Sequence, residues 1–361
     1  MNAYVDSING ISVNSGKSIQ IKSGSRVNVK GHIENNSILN TSFNGILTSI
    51  VRDCLDTVVC KNNVGGSGSN FTYTDRPNTL YVGNDSVKNG SFSFLFAVTK
   101  DINYTNSNGM INLYAVNNDF SQEASGYNDN FILGGSDIVK NDSLGPSIYC
   151  YLNSPSFENN ATVNRTPYFL AQVMDNDGIN SAGSGIGHDI ELIIDGDMSQ
   201  TYILNDYFKY DFGSYTSGSV GYSIPELAVG RHKLKFRVWD ILNNSSTSEL
   251  DFNVESGLSP KLFSVGCTNN PASTSTTFII NHDRAGSNID IELDIFDLSG
   301  RQLYKTTTNE TPSTNTSTLT WDITTDGGAR LQTGVYLYRI RIKSDSSEQV
   351  SKAQKLIVIN N

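Results

Sequence analysis

Two short stretches hold the residue types that could do chemistry. Asp175-Asn-Asp-Gly-Ile-Asn180 sets oxygen ligands close together around a glycine that can turn sharply. A calcium loop uses that arrangement, with Asp175 and Asp177 as the candidate ligands. The later bidentate glutamate of an EF-hand is missing, and Asp, Asn and Gly are also the usual turn residues, so the loop reads first as an Asx-rich hairpin turn. The second stretch is Gly183-Ser-Gly-Ile-Gly-His188-Asp189, where an imidazole adjoins a carboxylate. Acid–base catalysis uses such groups. Adjacent residues on a strand face opposite sides, so this pair cannot act as one dyad, and a structural loop is expected.

Other chemistry is not signalled. The sequence has no serine nucleophile elbow, no His-Glu-x-x-His and no phosphate loop. None of Cys54, Cys60, Cys150 and Cys267 has a histidine close in sequence, which argues against a cysteine nucleophile. Histidines are scattered at 32, 188, 232 and 282 and no Cys-x-x-Cys occurs, which argues against structural zinc. Cys54 and Cys60 could pair across a local hairpin, but buried or free thiols are read ahead of a disulfide. Asn-x-Ser/Thr triplets at Asn70, Asn103, Asn160 and Asn244 are what a chain rich in these residues produces by chance.

Composition bounds the rest. The 361 residues suffice for two or three domains, with 37 % hydrophobic and 17 % charged residues. Such low charge suits β-sandwiches with neutral polar outer faces. A net charge of −10 argues against nucleic acid as a main partner. No run of 18 or more apolar residues is present to span a membrane as a helix. The N-terminus lacks the basic and apolar regions of a signal peptide, which suggests either a protein that stays inside or a piece cut from a longer one.

The elements that would carry these residues are strands, read as three consecutive β-sandwich domains: 1–135, 136–256 and 257–361. This all-β reading makes the last two immunoglobulin-like. In the first, Ser91-Phe-Ser-Phe-Leu-Phe-Ala-Val98 puts Phe92, Phe94, Phe96 and Val98 on one face, read as core rather than as a ligand platform. Lys88-Asn-Gly90 before it is a tight-turn signal, and 65–70 is a Gly/Ser loop. Further strands fall at 26–33, 43–51, 80–82 and 109–116. The second domain has strands at 168–174, 189–194 and 231–240, and 254–260 reads as a linker. The third has an alternating strand at 289–295 turning at Ser299-Gly300-Arg301, then 333–342 and a closing strand at 352–360. No amphipathic helix of 12 residues or more is found.

The last hundred residues resemble a known module. Arg301, Trp321-Asp322, Gly327-Gly-Ala-Arg-Leu331 and Gly334-Val-Tyr-Leu-Tyr-Arg339 are similar to the FlgD-like immunoglobulin domain that ends many exported Bacteroidetes proteins. Asn269-Asn-Pro271 approximates its Pro-marked entry, and Ala353-Gln-Lys-Leu-Ile-Val358 resembles its type IX secretion signal. In the middle, Asp175-Asn-Asp-Gly-Ile-Asn180, Gly185-Ile-Gly-His-Asp-Ile190, Leu204-Asn-Asp-Tyr207 and Gly230-Arg-His232 resemble the region after the peptidase domain in PorU-type sortases of type IX secretion. Phe43-Asn-Gly45, Tyr73-Thr-Asp75 and Lys88-Asn-Gly-Ser-Phe-Ser-Phe94 extend the likeness to the first domain, from which 54–68 departs.

That resemblance implies the non-catalytic C-terminal part of a cell-surface, gingipain-like cysteine peptidase. No residue matches the family's catalytic His and Cys. The implied partners are the protein's own peptidase domain, protein cargo and a PorV-like shuttle barrel in the outer membrane. The implied secretion and partner-binding residues are Gly334, Tyr336, Lys352, Ala353, Gln354, Lys355, Leu356, Ile357 and Val358, acting through an exposed rim and exposed strand edges. The alternative is a stand-alone surface adhesin or glycan-binding protein, with Trp239 or the group Tyr202, Tyr207 and Tyr210 as exposed aromatics. A third option is an intact enzyme with a novel site.

Overall fold

A computed structural model describes residues 1–60, 70–103, 105–137, 142–183 and 187–359. The Gly/Ser loop expected at 65–70, up to residue 69, and 184–186 of the His188 loop lie outside the described residues. The protein is all-β; its helical segments among the described residues are two 3-10 turns, Met198–Gln200 and Asn205–Tyr207.

The chain divides into two compact units. One comprises Met1–Tyr149, Ala171–Val220 and Leu234–Glu249; the other comprises Cys150–Leu170, Gly221–Lys233 and Leu250–Asn361.

In the first unit, a nine-stranded sheet closes on itself. From Asn2–Ile8 it runs through Glu123–Asn128, Met110–Asn117, Gly45–Arg52, Thr79–Lys88 and Ser91–Ala97 to Arg26–Asn35, which pairs again with Asn2–Ile8. Closing the ring removes two sheet edges. Alternation decides what faces inward: Phe92, Phe94, Phe96 and Val98 are buried, while Leu95 stands out in solvent. Tyr81 stacks on Phe94 and Phe96 at 6.5 and 5.8 Å, so the aromatic stripe is core. The turn before it has Asn89 at φ 51° and Gly90 at φ 74°, the pair of positive angles that a tight hairpin needs.

The rest of this unit packs on the ring. Glu191–Ile194 lies between Thr201–Ile203 and Gly230–Trp239, and Phe208–Tyr210 pairs with Ser217–Ser223. The Glu191–Ile194 strand begins two residues later than the sequence predicts, because 187–190 form the turn that carries His188.

The second unit contains a sandwich of two sheets. One holds Leu262–Cys267, Thr276–His282 and Thr316–Trp321 in that order. The other runs Gln302–Glu310, Ile289–Phe296, Gly334–Ser344, Ser347–Val350, with Gln354–Val358 also on Gly334–Ser344. Trp321, Phe278, Tyr338, Ile340, Leu356 and Val358 fill the space between them. All four cysteines are free thiols, Cys54 and Cys150 buried and Cys60 exposed.

Candidate functional site

The C-terminal strands build the site from the end of the chain inward. Gly334–Ser344 alternates side chains so that Tyr338, Ile340 and Ile342 are buried while Arg339, Arg341 and Lys343 turn outward. Gln354–Val358 pairs antiparallel with its first half, setting Gly334 opposite Val358, Tyr336 opposite Leu356 and Tyr338 opposite Gln354. A Cβ at Gly334 would lie in ordinary contact with the Tyr336 ring, whose hydroxyl donates to Gln332 O at 2.9 Å. The Tyr338 hydroxyl donates to Gln354 Oε1 at 2.8 Å, and Gln354 Nε2 donates to Val265 O at 3.0 Å. Burial, then the Cys267 thiol beside it, pushes the Tyr338 hydroxyl up to about 12.

The other edge of the final strand is occupied as well. Asn270 Nδ2 donates to Lys355 O and its Oδ1 accepts the Ile357 N–H, both at 2.9 Å. Ala272 N–H donates to Ile357 O at 2.8 Å, and Ile359 N–H to Ala272 O at 2.9 Å. The Pro-marked entry therefore acts as a parallel clamp on the last strand. This corrects the expected free edge of the last strand, and of the expected rim only Leu356 is buried. Lys352, Ala353 and Lys355 are exposed, but Leu356 and Val358 are fully buried and the strand's outer edge is occupied from Lys355 O to Ile359 N–H. Gln354 and Ile357 are half-buried.

The outer face of the same sheet is a charge lattice that alternation alone does not reveal. Glu292 and Asp294 point away from the core yet are only 6 % and 1 % exposed, because cationic side chains on both neighbouring strands lie over them. Lys305 Nζ reaches Glu292 Oε2 at 2.9 Å and Arg341 reaches Glu292 Oε1 at 3.1 Å. Arg339 meets Asp294 Oδ2 at 2.9 Å while lying 5.2 Å from the Phe296 ring centroid. Acids on the central strand and bases on its neighbours fix the register, since a one-residue slip would bury the charges.

The loops singled out for chemistry resolve differently. Asp175 Oδ1 accepts the N–H groups of Asp177 and Gly178 at 2.8 and 3.1 Å, which is an Asx turn. Asp177 instead pairs with Arg26 at 2.9 Å. Burial pushes the Asp175 carboxyl upward. Among the described residues no group of three or more His, Cys, Asp or Glu side chains could hold a metal ion. His188 Nδ1 bonds Asp101 Oδ2 at 2.7 Å, not Asp189, and packs on Trp239 with ring centroids 4.4 Å apart. The same Asp101 accepts from Asn180 at 3.1 Å and Asn243 at 3.2 Å. Of the aromatics considered for glycan binding, Tyr207 is exposed, Tyr202, Tyr210 and Trp239 are half-buried, and the Tyr210 hydroxyl donates to Ile179 O at 2.6 Å.

Known proteins resemble the chain in its last part and along its length. Residues 270–359 match the secretion system C-terminal sorting domain. The match begins at the Asn270 clamp and ends on the final strand. A domain of this class implies export and association with the cell surface or outer membrane. The chain is 33 % identical along its whole length to the crystal structure of dimeric latent PorU from Porphyromonas gingivalis, of which it covers 34 %. The superposition on that structure is loose, with a TM-score of 0.48. The chain spans about a third of the length of that structure, and its residues 270–359 carry the sorting domain. Fibronectin domains FN1–FN3 of chicken CNTN1 are 8 % identical with TM-score 0.22 (99 % of this chain, 98 % of that one). The Bacteroides ovatus mixed-linkage glucan protein SGBP-B is 9 % identical with TM-score 0.25 (100 % of this chain, 71 % of that one). No curated protein matches the chain.

Proposed function

We propose that this chain is the non-catalytic C-terminal portion of a gingipain-like, sortase-type cysteine peptidase of type IX secretion. In this reading the segments 1–135 and 136–256 scaffold the peptidase domain, and 257–361 docks the protein to an outer-membrane, PorV-like shuttle. The observation that carries it is the joint occurrence of a sorting domain at 270–359 and full-length identity of 33 % to PorU. Docking by the sorting domain would use the exposed residues Lys352, Ala353 and Lys355, with Gly334, Tyr336, Gln354, Leu356, Ile357 and Val358 holding the strand that presents them.

The test is surface labelling of cells that make the full-length protein. Deletion of 353–361 abolishes labelling, and Lys352→Glu with Lys355→Glu lowers it several-fold while the purified variant keeps its thermal transition. Normal labelling of the deletion overturns the proposal.

A further inference from the structure

We infer that the Thr316–Trp321 edge of the last sandwich accepts an extended segment of a partner polypeptide as an added β-strand. The inference rests on the docking role proposed above and adds a second contact surface, on the other sheet of the same sandwich, to the Lys352–Lys355 rim.

The register against Thr276–His282 sets Thr276 opposite Trp321, Phe278 opposite Leu319 and Ile280 opposite Ser317. His282 N–H donates to Asn315 O at 2.9 Å, so the residues bonded to the neighbouring strand are 315, 317, 319 and 321. In an antiparallel ladder the alternate residues turn their backbone groups the other way. The N–H and C=O of Thr318 and Thr320 therefore face outward, and among the described residues no protein group bonds to them. Thr316 is already engaged, exchanging hydrogen bonds with the Thr314 hydroxyl at 3.3 Å.

Strand edges normally carry charge, a bulge or a covering segment to prevent pairing. The other edges of this sandwich do. Leu262–Cys267 has a register break after Leu262, and the Gln354 side chain sits on Val265 O. Gln354–Val358 is closed by Asn270 and Ala272. Gln302–Glu310 has Asp326 bonded to Leu303 O and Lys305 N–H, and carries Lys305 and Glu310. Ser347–Val350 is four residues long and bears Glu348. Thr316–Trp321 has none of these: it reads Thr-Ser-Thr-Leu-Thr-Trp, with Ser317, Leu319 and Trp321 buried and the three threonines exposed. Its hydroxyls are pinned within the sheet, Thr320 to Thr277 at 2.9 Å and Thr316 to Asn281 at 2.7 Å, so the edge is held straight and uncharged.

The occupant is an extended segment and not a second copy. Two chains of net charge −10 repel. A six-residue edge also buries far less than the roughly 1,000 Å² that a specific globular interface needs. An extended strand gains its affinity from main-chain hydrogen bonds and brings no such bulk.

The test uses the full-length protein in its cell. Thr318→Pro removes an outward donor and no ladder bond, and Thr318→Lys with Thr320→Lys adds the edge charge that disfavours pairing. Both lower surface labelling at least tenfold, whereas Thr318→Val leaves it unchanged. The purified variants keep the unfolding temperature of the parent protein. Normal labelling of the folded lysine variant overturns the inference. If the 353–361 deletion is also labelled normally, the docking role itself fails; if that deletion is dark, only the edge assignment fails. Sedimentation showing a dimer lost in the lysine variant would assign the edge to a second copy and likewise overturn it.

Discussion

His282 shows how one residue couples this sandwich to pH. It is fully buried; its Nε2 donates to Ser317 Oγ at 2.9 Å and its Nδ1 accepts the Arg284 N–H at 3.1 Å. Burial, followed by the neighbouring Arg284 charge, lowers its pKa to about 4. Protonation would remove the Nδ1 acceptor. Because the folded value lies below the unfolded one, the unfolded chain takes up a proton that the native state refuses. Stability is unaffected above pH about 6.5 and falls between about 6.5 and 4, by on the order of 3 kcal/mol. Urea unfolding of the protein at pH 7 and at pH 4.5 should show the decline, and His282→Gln should flatten it. An unchanged slope would mean that the imidazole is solvated. A second residue-scale expectation concerns Asp294, 1 % exposed against Arg339. Arg339→Met leaves a buried carboxylate without its partner and costs about 2 kcal/mol, discounted for the partly exposed guanidinium. Asp294→Leu added to it restores most of that loss.

The last strand is legible as an element and illegible as a surface. A closing strand is expected at 352–360 and found at Gln354–Val358, but the run Leu356-Ile-Val358 is apolar throughout and does not say which side chains face inward; the structure buries Leu356 and Val358. Nor does the run report the partner on each edge. The clamp from Asn270 and Ala272 comes from residues more than eighty positions away, and it turns an expected free edge into a closed one. Asn270→Ala should remove two hydrogen bonds and cost about 1–2 kcal/mol. The Ile357 amide should then exchange faster with solvent, whereas unchanged exchange would show that Ala272 suffices. Other elements follow the same logic. Ser91–Ala97 and Ile289–Phe296 are read nearly to the residue because their apolar positions alternate, and Tyr168–Met174 because it is a short, nearly continuous apolar run. Thr79–Lys88 is read only at 80–82, because Gly83 and Asp85 interrupt the pattern. Gly83 lies under the Tyr81 ring, where a Cβ would come within 1.9 Å of the hydroxyl oxygen. Asp85 is buried, and burial raises its carboxyl to about 6, so a core-facing position carries a polar residue. Asn2–Ile8 is missed because a seven-residue strand at the chain start becomes meaningful only when it closes the ring.

At the scale of the molecule, the polar residues of the middle region serve assembly within the first unit. Asp101, just past the end of the Ser91–Ala97 strand, accepts from His188, Asn180 and Asn243. Lys100 donates its N–H to Ile241 O at 3.0 Å and its Nζ to Leu242 O at 2.7 Å. Ala97 packs on Ile241 and Leu242, all three at least nine-tenths buried, and Arg26 pairs with Asp177. The loops that look chemical in the sequence thus hold one part of the first unit to another. A fragment of 136–256 made alone would expose Ile241 and Leu242 and leave Asn180, His188 and Asn243 without their shared acceptor. It should melt roughly 10–20 °C below the same residues in 1–256. Asp101→Ala in 1–256 should lower the transition partway, since it removes the acceptor but keeps the apolar contact. Equal melting of the two fragments would show that 136–256 is a self-sufficient domain and that these contacts form between parts already folded.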